Sequence, residues 1–318
     1  MTEEYTSFDQ PKATEGELLL PRGYVVKKGG ETYIFNKAGL REITGVEEDI
    51  MNGDGNFTSR MMRIVGNCLT SLRCEQGDEI TDEKTLIQAA KQISIGDLTA
   101  CMFAIYCVTH GTEFRQKVQC PNPQCGTVDG RPFTWTARFD LKRDFPPKPC
   151  EGDPGQVIRT YKTSRGTEIT WKFMTGEDRL RYESNNHTNQ KATAALMTRV
   201  VTVNGEPATA EILRSMAMIE REEIRKHIIP QEGGIDVTFD AVCANCGHEF
   251  QDIFRLMGSI FSTLRRSPNH DGRNQFPNEF CASKLWRSHA HAFIQKEAGS
   301  SVSCQYVKGN FETTTRSI

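Results

Sequence analysis

Two short stretches decide how this chain is read: "VQCPNPQCG" (Val118 to Gly126) and "AVCANCGHEF" (Ala241 to Phe250). Each places two cysteines a few positions apart in a turn, followed by a glycine. Phe114, Gln116 and Val118 lead into the first pair by period-two alternation, and Phe133, Trp135, Ala137 and Phe139 lead out of it. That pattern describes a β-hairpin with the cysteines at its tip. Val237, Phe239 and Ala241 lead into Cys243 in the same rhythm. A short loop lets two sulfurs share one edge of a metal tetrahedron, and a Cys-Gly turn leaves amides free to hydrogen-bond the thiolates. Reduced cysteines also pack as small apolar groups, so one pair alone would decide nothing. Two pairs at matching hairpin tips point instead to one shared site. Its ligands are Cys120, Cys125, Cys243 and Cys246, holding one structural zinc per chain.

The positions match because the chain reads as two similar units. "DFPPKPCEGDPG" (Asp144 to Gly155) stops any regular element and serves as a linker. Beyond it, "WKFMTGED" (Trp171 to Asp178) answers "LREITGVEED" (Leu40 to Asp49), and "ALMTRVV" (Ala195 to Val201) answers "RMMRIVG" (Arg60 to Gly66). Gly233-Gly234 stands where His110-Gly111 stood, and "FRL" at Phe254 answers "FDL" at Phe139. The expected fold is therefore α+β. Two similar helix-plus-β-hairpin units, an internal duplication, are joined by a zinc-ribbon-like four-cysteine site. The expected boundaries are a polar leader over 1–17, a first unit over 18–143, a linker over 144–164, a second unit over 165–256 and an extended C-terminal arm over 257–318. Each unit is expected to be a helical bundle carrying its hairpin. In the first, a helix capped by Thr58 or Ser59 keeps Met61, Val65, Cys68, Leu69 and Leu72 on one stripe. A second helix runs from Asp82 to Ile93, and a third starts near Asp97 and stops at His110-Gly111.

Composition narrows the function classes. With 318 residues, 37% hydrophobic and 25% charged, the chain reads as a soluble globular protein of about two domains. A net charge of -2, from 39 basic and 41 acidic residues, gives no electrostatic footprint for nucleic acid or an anionic membrane. The longest apolar run, Ala100 to Val108, is too short to span a bilayer, and the acidic start "MTEEYTSFDQ" is not a signal peptide. Eleven cysteines in such a chain imply a reducing cytoplasm, with buried thiols and a metal site instead of disulfides. Cys68, Cys74, Cys101 and Cys107 read as core packing, while His248, His289 and His291 are weak ligand candidates. No phosphate loop, His-Glu-x-x-His, nucleophile elbow or dinucleotide fingerprint is present, so no enzyme and no small-molecule substrate is expected. "NGDGN" (Asn52 to Asn56) lacks the ligand alternation of a calcium loop and reads as a turn. Glu47, Glu48, Asp49, Glu177 and Asp178 read as solvated helix starts.

"LLLPRGYVV" near the start, then "ITGVEEDIM", then "IGDLTACMFAIYCVTHGTEF" running into a "CPxxxC" hairpin and "FDL", form an ordered series over residues 18 to 141. In that order the chain resembles the T4-type bacteriophage baseplate (hub) proteins, a family associated with assembly of the central hub of contractile tails. A degenerate copy covers 167 to 256; this second copy and the long tail depart from the family pattern. The resemblance implies a non-enzymatic virion protein of the tail baseplate, assembled in the host cytoplasm. Its partners would be other phage tail and baseplate proteins. The alternative is a zinc-ribbon nucleic-acid-binding or regulatory protein, which the mixed charges around the hairpins disfavour. A tail-associated hydrolase would need a catalytic dyad that is not found. The polar arm over 257–318 keeps isolated anchors suited to docking on neighbouring subunits, with Phe276, Phe280, Leu285, Trp286 and Phe293 as the expected contacts.

Overall fold

The computed structural model describes residues 16–126, 132–185 and 190–255, all within one compact unit spanning 1–266. Of the leader expected over 1–17, residues 1–15 lie outside the described residues, and Gly16 and Glu17 open the first strand. The arm with Phe276, Phe280, Leu285, Trp286 and Phe293 also lies outside them, as do His289 and His291.

The described chain is mixed α and β, with antiparallel sheets. The first half begins with strands β1 (Gly16–Lys28) and β2 (Glu31–Leu40), then helices α1 (Gly45–Asn52) and α2 (Phe57–Cys68). Strands β3 (Leu69–Cys74) and β4 (Glu79–Ile80) follow, then helices α3 (Glu83–Gln92) and α4 (Ile95–His110). The half closes with the hairpin β5 (Glu113–Gln119) and β6 (Thr134–Asp140) and the single turn α5 (Leu141–Asp144). The second half runs β7 (Ile158–Lys162), β8 (Glu168–Lys172), α6 (Gly176–Ser184), α7 (Lys191–Met197), β9 (Val200–Val203) and β10 (Glu206–Pro207). It continues with α8 (Ala210–Ser215), α9 (Met218–Gln231) and the hairpin β11 (Thr238–Val242) and β12 (Glu249–Ile253). Two strands, two helices, two strands, two helices and a hairpin therefore occur in the same order twice.

Neither half is the helical bundle expected from the sequence. Each holds a four-stranded antiparallel sheet, ordered β1-β2-β3-β4 in the first half and β10-β9-β8-β7 in the second. The pairing of β2 with β3 agrees with that of β8 with β9. Leu40 faces Leu69 where Trp171 faces Val200, and the Arg41 amide donates to Cys68 O as the Lys172 amide donates to Arg199 O. This register sets residues 195–201 against 64–70, so the sequence match of "ALMTRVV" to "RMMRIVG" was about one helical turn out of step. A slip of one turn keeps the same face of a helix inward, which is why the pattern did not reveal it.

Other boundaries also differ from expectation. Leu69 and Leu72 keep helical spacing after Cys68 but belong to β3, where a register shift between Leu69 and Ser71 lets two residues three positions apart both be buried. Asn56 caps α2, accepting from the Ser59 amide at 2.8 Å, in place of Thr58 or Ser59. Helix α3 matches its expected range with Asp82 as cap, and α4 begins at Ser94, whose hydroxyl accepts from the Asp97 amide. The range 144–164 is not a free linker. Phe145 is buried in the first core, Lys148 pairs with Gly234, and residues 158–162 form β7.

The first core packs Leu40, Met61, Ile64, Leu72, Leu98 and Ile105 between the sheet and its helices, with Cys68, Cys74 and Cys101 buried among them. Burial pushes the Cys68 thiol up to about 12, so this cysteine is a packing group. A smaller core holds Ile169, Trp171, Phe173, Leu196, Ile224 and Ile228. The halves meet closely: Ser94 and Thr175 form a bridge, and α6 packs on α2, α3 and α4. At Gly176 a Cβ would sit 2.6 Å from Met62 Sδ and 2.8 Å from Leu98 Cδ1, so a larger residue would force those buried side chains to move.

Candidate metal centre

The two hairpins lie tip to tip. Their four sulfurs, from Cys120, Cys125, Cys243 and Cys246, all fall within 4.8 Å of one another. The closest contacts cross between hairpins: Cys120 Sγ to Cys246 Sγ is 3.7 Å and Cys125 Sγ to Cys243 Sγ is 3.6 Å. A tetrahedral ion with sulfurs at about 2.3 Å requires sulfur–sulfur edges of about 3.8 Å, whereas a disulfide requires about 2.05 Å. The spacing fits four ligands around one ion. The donors are all soft, which favours zinc, iron or Cu(I) over hard cations.

The backbone explains why the tips are so placed. The Cys120 amide donates to Phe133 O across the first hairpin, and the Cys243 amide donates to His248 O across the second. In each turn an asparagine sits two residues after the first cysteine, and each reaches the second cysteine of the other hairpin. Asn245 Nδ2 donates to Cys125 Sγ at 3.4 Å, and Asn122 Nδ2 donates to Cys246 Sγ at 3.7 Å. Gly247 takes φ 68°, letting its amide return to Cys243 O at 2.9 Å. Phe133, Trp135 and Phe250 pack around the sulfurs, with Trp135 edge-on to Phe250. The exchange is near-symmetric, each hairpin presenting equivalent groups to the other.

Cys120, Cys125 and Cys243 are buried, while Cys246 is exposed. Burial alone would raise the Cys243 thiol, but the amides of Cys246 and Asn245 and the neighbouring thiols bring it down to about 7. Its neighbour Cys120 is pushed up to about 12, mainly by burial. Cys243 is thus the sulfur favoured as thiolate, while Cys120 is held as the thiol; a bound cation would displace the remaining protons. His248 stacks on Phe250 and is not a member of the cluster.

All four expected ligands come together. The asparagines were missed, although Cys-x-Asn in both turns was a visible signal. The acidic groups read as solvated helix starts divide. Glu47 and Asp178 are buried, whereas Glu48 and Asp49 are exposed. Glu47 accepts from the Thr44 amide and hydroxyl and pairs with Arg41 at 2.9 Å, and Asp178 pairs with Lys172 at 2.8 Å in the equivalent place. They lock helix starts to strand ends and form no acid–base dyad. No helix among the described residues is long and apolar enough to cross a membrane. Comparison with protein-family models, with curated proteins and with solved structures finds no match, so the functional reading rests on these residues and their geometry.

Proposed function

We propose that this chain is a non-enzymatic structural subunit of a contractile-tail phage baseplate, at or beside the hub, held together by one structural zinc. The single observation that carries the metal part is the cross-hairpin set of four thiols at tetrahedral spacing. Zinc accepts such a set without geometric preference of its own, and four protein sulfurs leave no open position for a reacting water. A site of this kind clamps two segments of chain that are far apart in sequence, and its binding energy becomes folding energy.

The chain is also proposed to be an internal duplication, with the zinc-ribbon-like tips as its seam. The repeated element order and the matching strand registers support this reading. The baseplate assignment is supported by the ordered motifs from Leu18 to Leu141 that resemble the T4-type baseplate family. Its partners are then other tail and baseplate proteins, and its place is the virion.

The test is recovery of tagged full-length chain from an infected lysate, with mass spectrometry of co-purifying proteins and electron microscopy of the particles. Tail or baseplate proteins should accompany it. Recovery of nucleic acid instead, bound with affinity falling steeply as salt rises, would favour the zinc-ribbon alternative and overturn the baseplate reading.

A further inference from the structure

Between the two halves lies a cleft of about 210 Å³, bordered by Arg22 and Tyr24 of β1, Gln92 of α3, and Lys172, Phe173 and Thr175 of the second half. Arg22 is 7% exposed, yet it forms no ion pair among the described residues. Its Nε donates to Pro154 O at 3.2 Å, and its terminal nitrogens have no hydrogen-bond acceptor among the described residues. Asp97 and Glu232 lie near enough to favour its charge, but neither bonds its terminal nitrogens. A buried guanidinium with open donors is unusual, because taking a charge out of water is expensive unless it is hydrogen-bonded.

The surroundings add positive charge. Arg159, 6% exposed, stands 4.6 Å from the Phe173 ring that Arg22 covers at 4.3 Å, and its terminal nitrogens donate to the carbonyls of Glu151 and Asp153 and to Gln231. The shared ring offsets part of the desolvation through cation–π attraction. Lys172, on the cleft wall, is already held by both oxygens of Asp178. Asp97 lies behind Arg22, but its oxygens are taken by the amides of Arg22, Gly23 and Ser94 and by the Ser94 hydroxyl. No aspartate or glutamate lines the cleft. Burial pulls the Arg22 guanidinium down from its ordinary value, and Asp97 and Glu232 offset this only in part.

We infer that this cleft is an oxyanion site, in which the free fork of Arg22 takes two oxygens of a phosphate or carboxylate group. The planar fork suits either anion; Thr175 and Tyr24 line the same walls, their hydroxyls already held by Asp178 and Gln92. The site is separate from the cysteine cluster and does not depend on the baseplate reading.

The test is thermal unfolding of the full chain titrated with inorganic phosphate, and in parallel with N-acetylglutamate, against chloride at constant ionic strength. A saturable rise in Tm is expected with at least one of the two. Response to phosphate alone identifies a free-ion site, and preference for the carboxylate identifies a seat for an acidic side chain. Arg22→Gln should weaken the response about tenfold or more, the loss typical of a charged hydrogen-bonding pair. Exposed Arg138→Gln should leave it unchanged. Should Arg22→Gln fail to fold, Arg22→Lys keeps the charge without the fork and should still weaken binding. No saturable rise in the wild type with either anion, or an equal rise in the Arg22 variants, overturns the inference.

Discussion

The first and second halves share an order of elements and a strand register, yet they are unequal in what holds them. The first encloses a large core of its own. The second has a smaller one around Trp171, and its hairpin packs elsewhere: Phe254 lies in the first core, against Phe103, Phe114, Phe139 and Phe145. Val237 and Phe239 join the same cluster. Similar backbones therefore do not make independent domains here. The second hairpin gives its apolar base to the first half and its cysteine tip to a site neither half completes alone.

The largest effect that can break this comparison is at the tip. Cys125→Ser and Cys243→Ser, one from each hairpin, should each abolish metal retention and lower stability by more than about 5 kcal/mol, because structural zinc contributes about 10–16 kcal/mol in small zinc peptides. Denaturant unfolding with metal analysis checks this. Equal severity from both hairpins is expected, and a mild effect in either would separate them.

Next comes the hairpin base. Phe254→Ala should cost about 3–5 kcal/mol by leaving a cavity among four rings. Because the cavity opens in the first core, hydrogen exchange should quicken at amides of α4 more than at those of α9. The reverse pattern would mean that the second half stands by itself.

The equivalent ion pairs sharpen the comparison further. Glu47 is fully enclosed beside an Arg41 that is 26% exposed, and Asp178 is 7% exposed beside a Lys172 that is 35% exposed. Glu47→Gln should cost about 2–3 kcal/mol and Asp178→Asn somewhat less, since the more exposed pair is better screened by water. Burial works to raise the Glu47 carboxyl, but Arg41 and Thr44 outweigh it and hold it down to about 2, below its ordinary 4.5. The stabilisation is thus complete above pH 4.5 and is lost as pH falls towards 2. In Glu47→Gln the acid-side loss of stability across that window should be shallower, as followed by denaturant midpoints.

The smallest effect concerns the asparagines. Asn245→Ala and Asn122→Ala each remove one N–H···S contact from the other hairpin's thiolate. Metal affinity should fall about tenfold, as for other groups that support a ligand. Asn245 should matter more, its contact being the shorter. Competition with a chromophoric chelator measures both.

Much of this was legible in the residues. The cysteine pairs, the start of α3 at Asp82 and the stop of α4 at Gly111 each state a local requirement that few other residues meet, whereas α4 is capped at Ser94, about three residues before the start expected near Asp97. The sheets were less legible. Leu69 and Leu72 keep a helix spacing and are both buried in β3 only through its register shift, and β7 hides beside prolines and glycines that read as linker. The burial of Glu47 was not visible, because an acid at a helix start has the same sequence whether it faces water or an arginine. The cross-hairpin contacts of Asn122 and Asn245 depend on how two distant turns meet, which local pattern does not specify.

The central claim is that two hairpins share one ion. Elemental analysis of reduced full-length protein, combined with X-ray absorption at the metal edge, tests it most directly. The account predicts one zinc per chain, bound by four sulfurs at about 2.3 Å. Two metals per chain, no metal from zinc-supplemented expression, or a shell containing nitrogen or oxygen in place of a sulfur would contradict it.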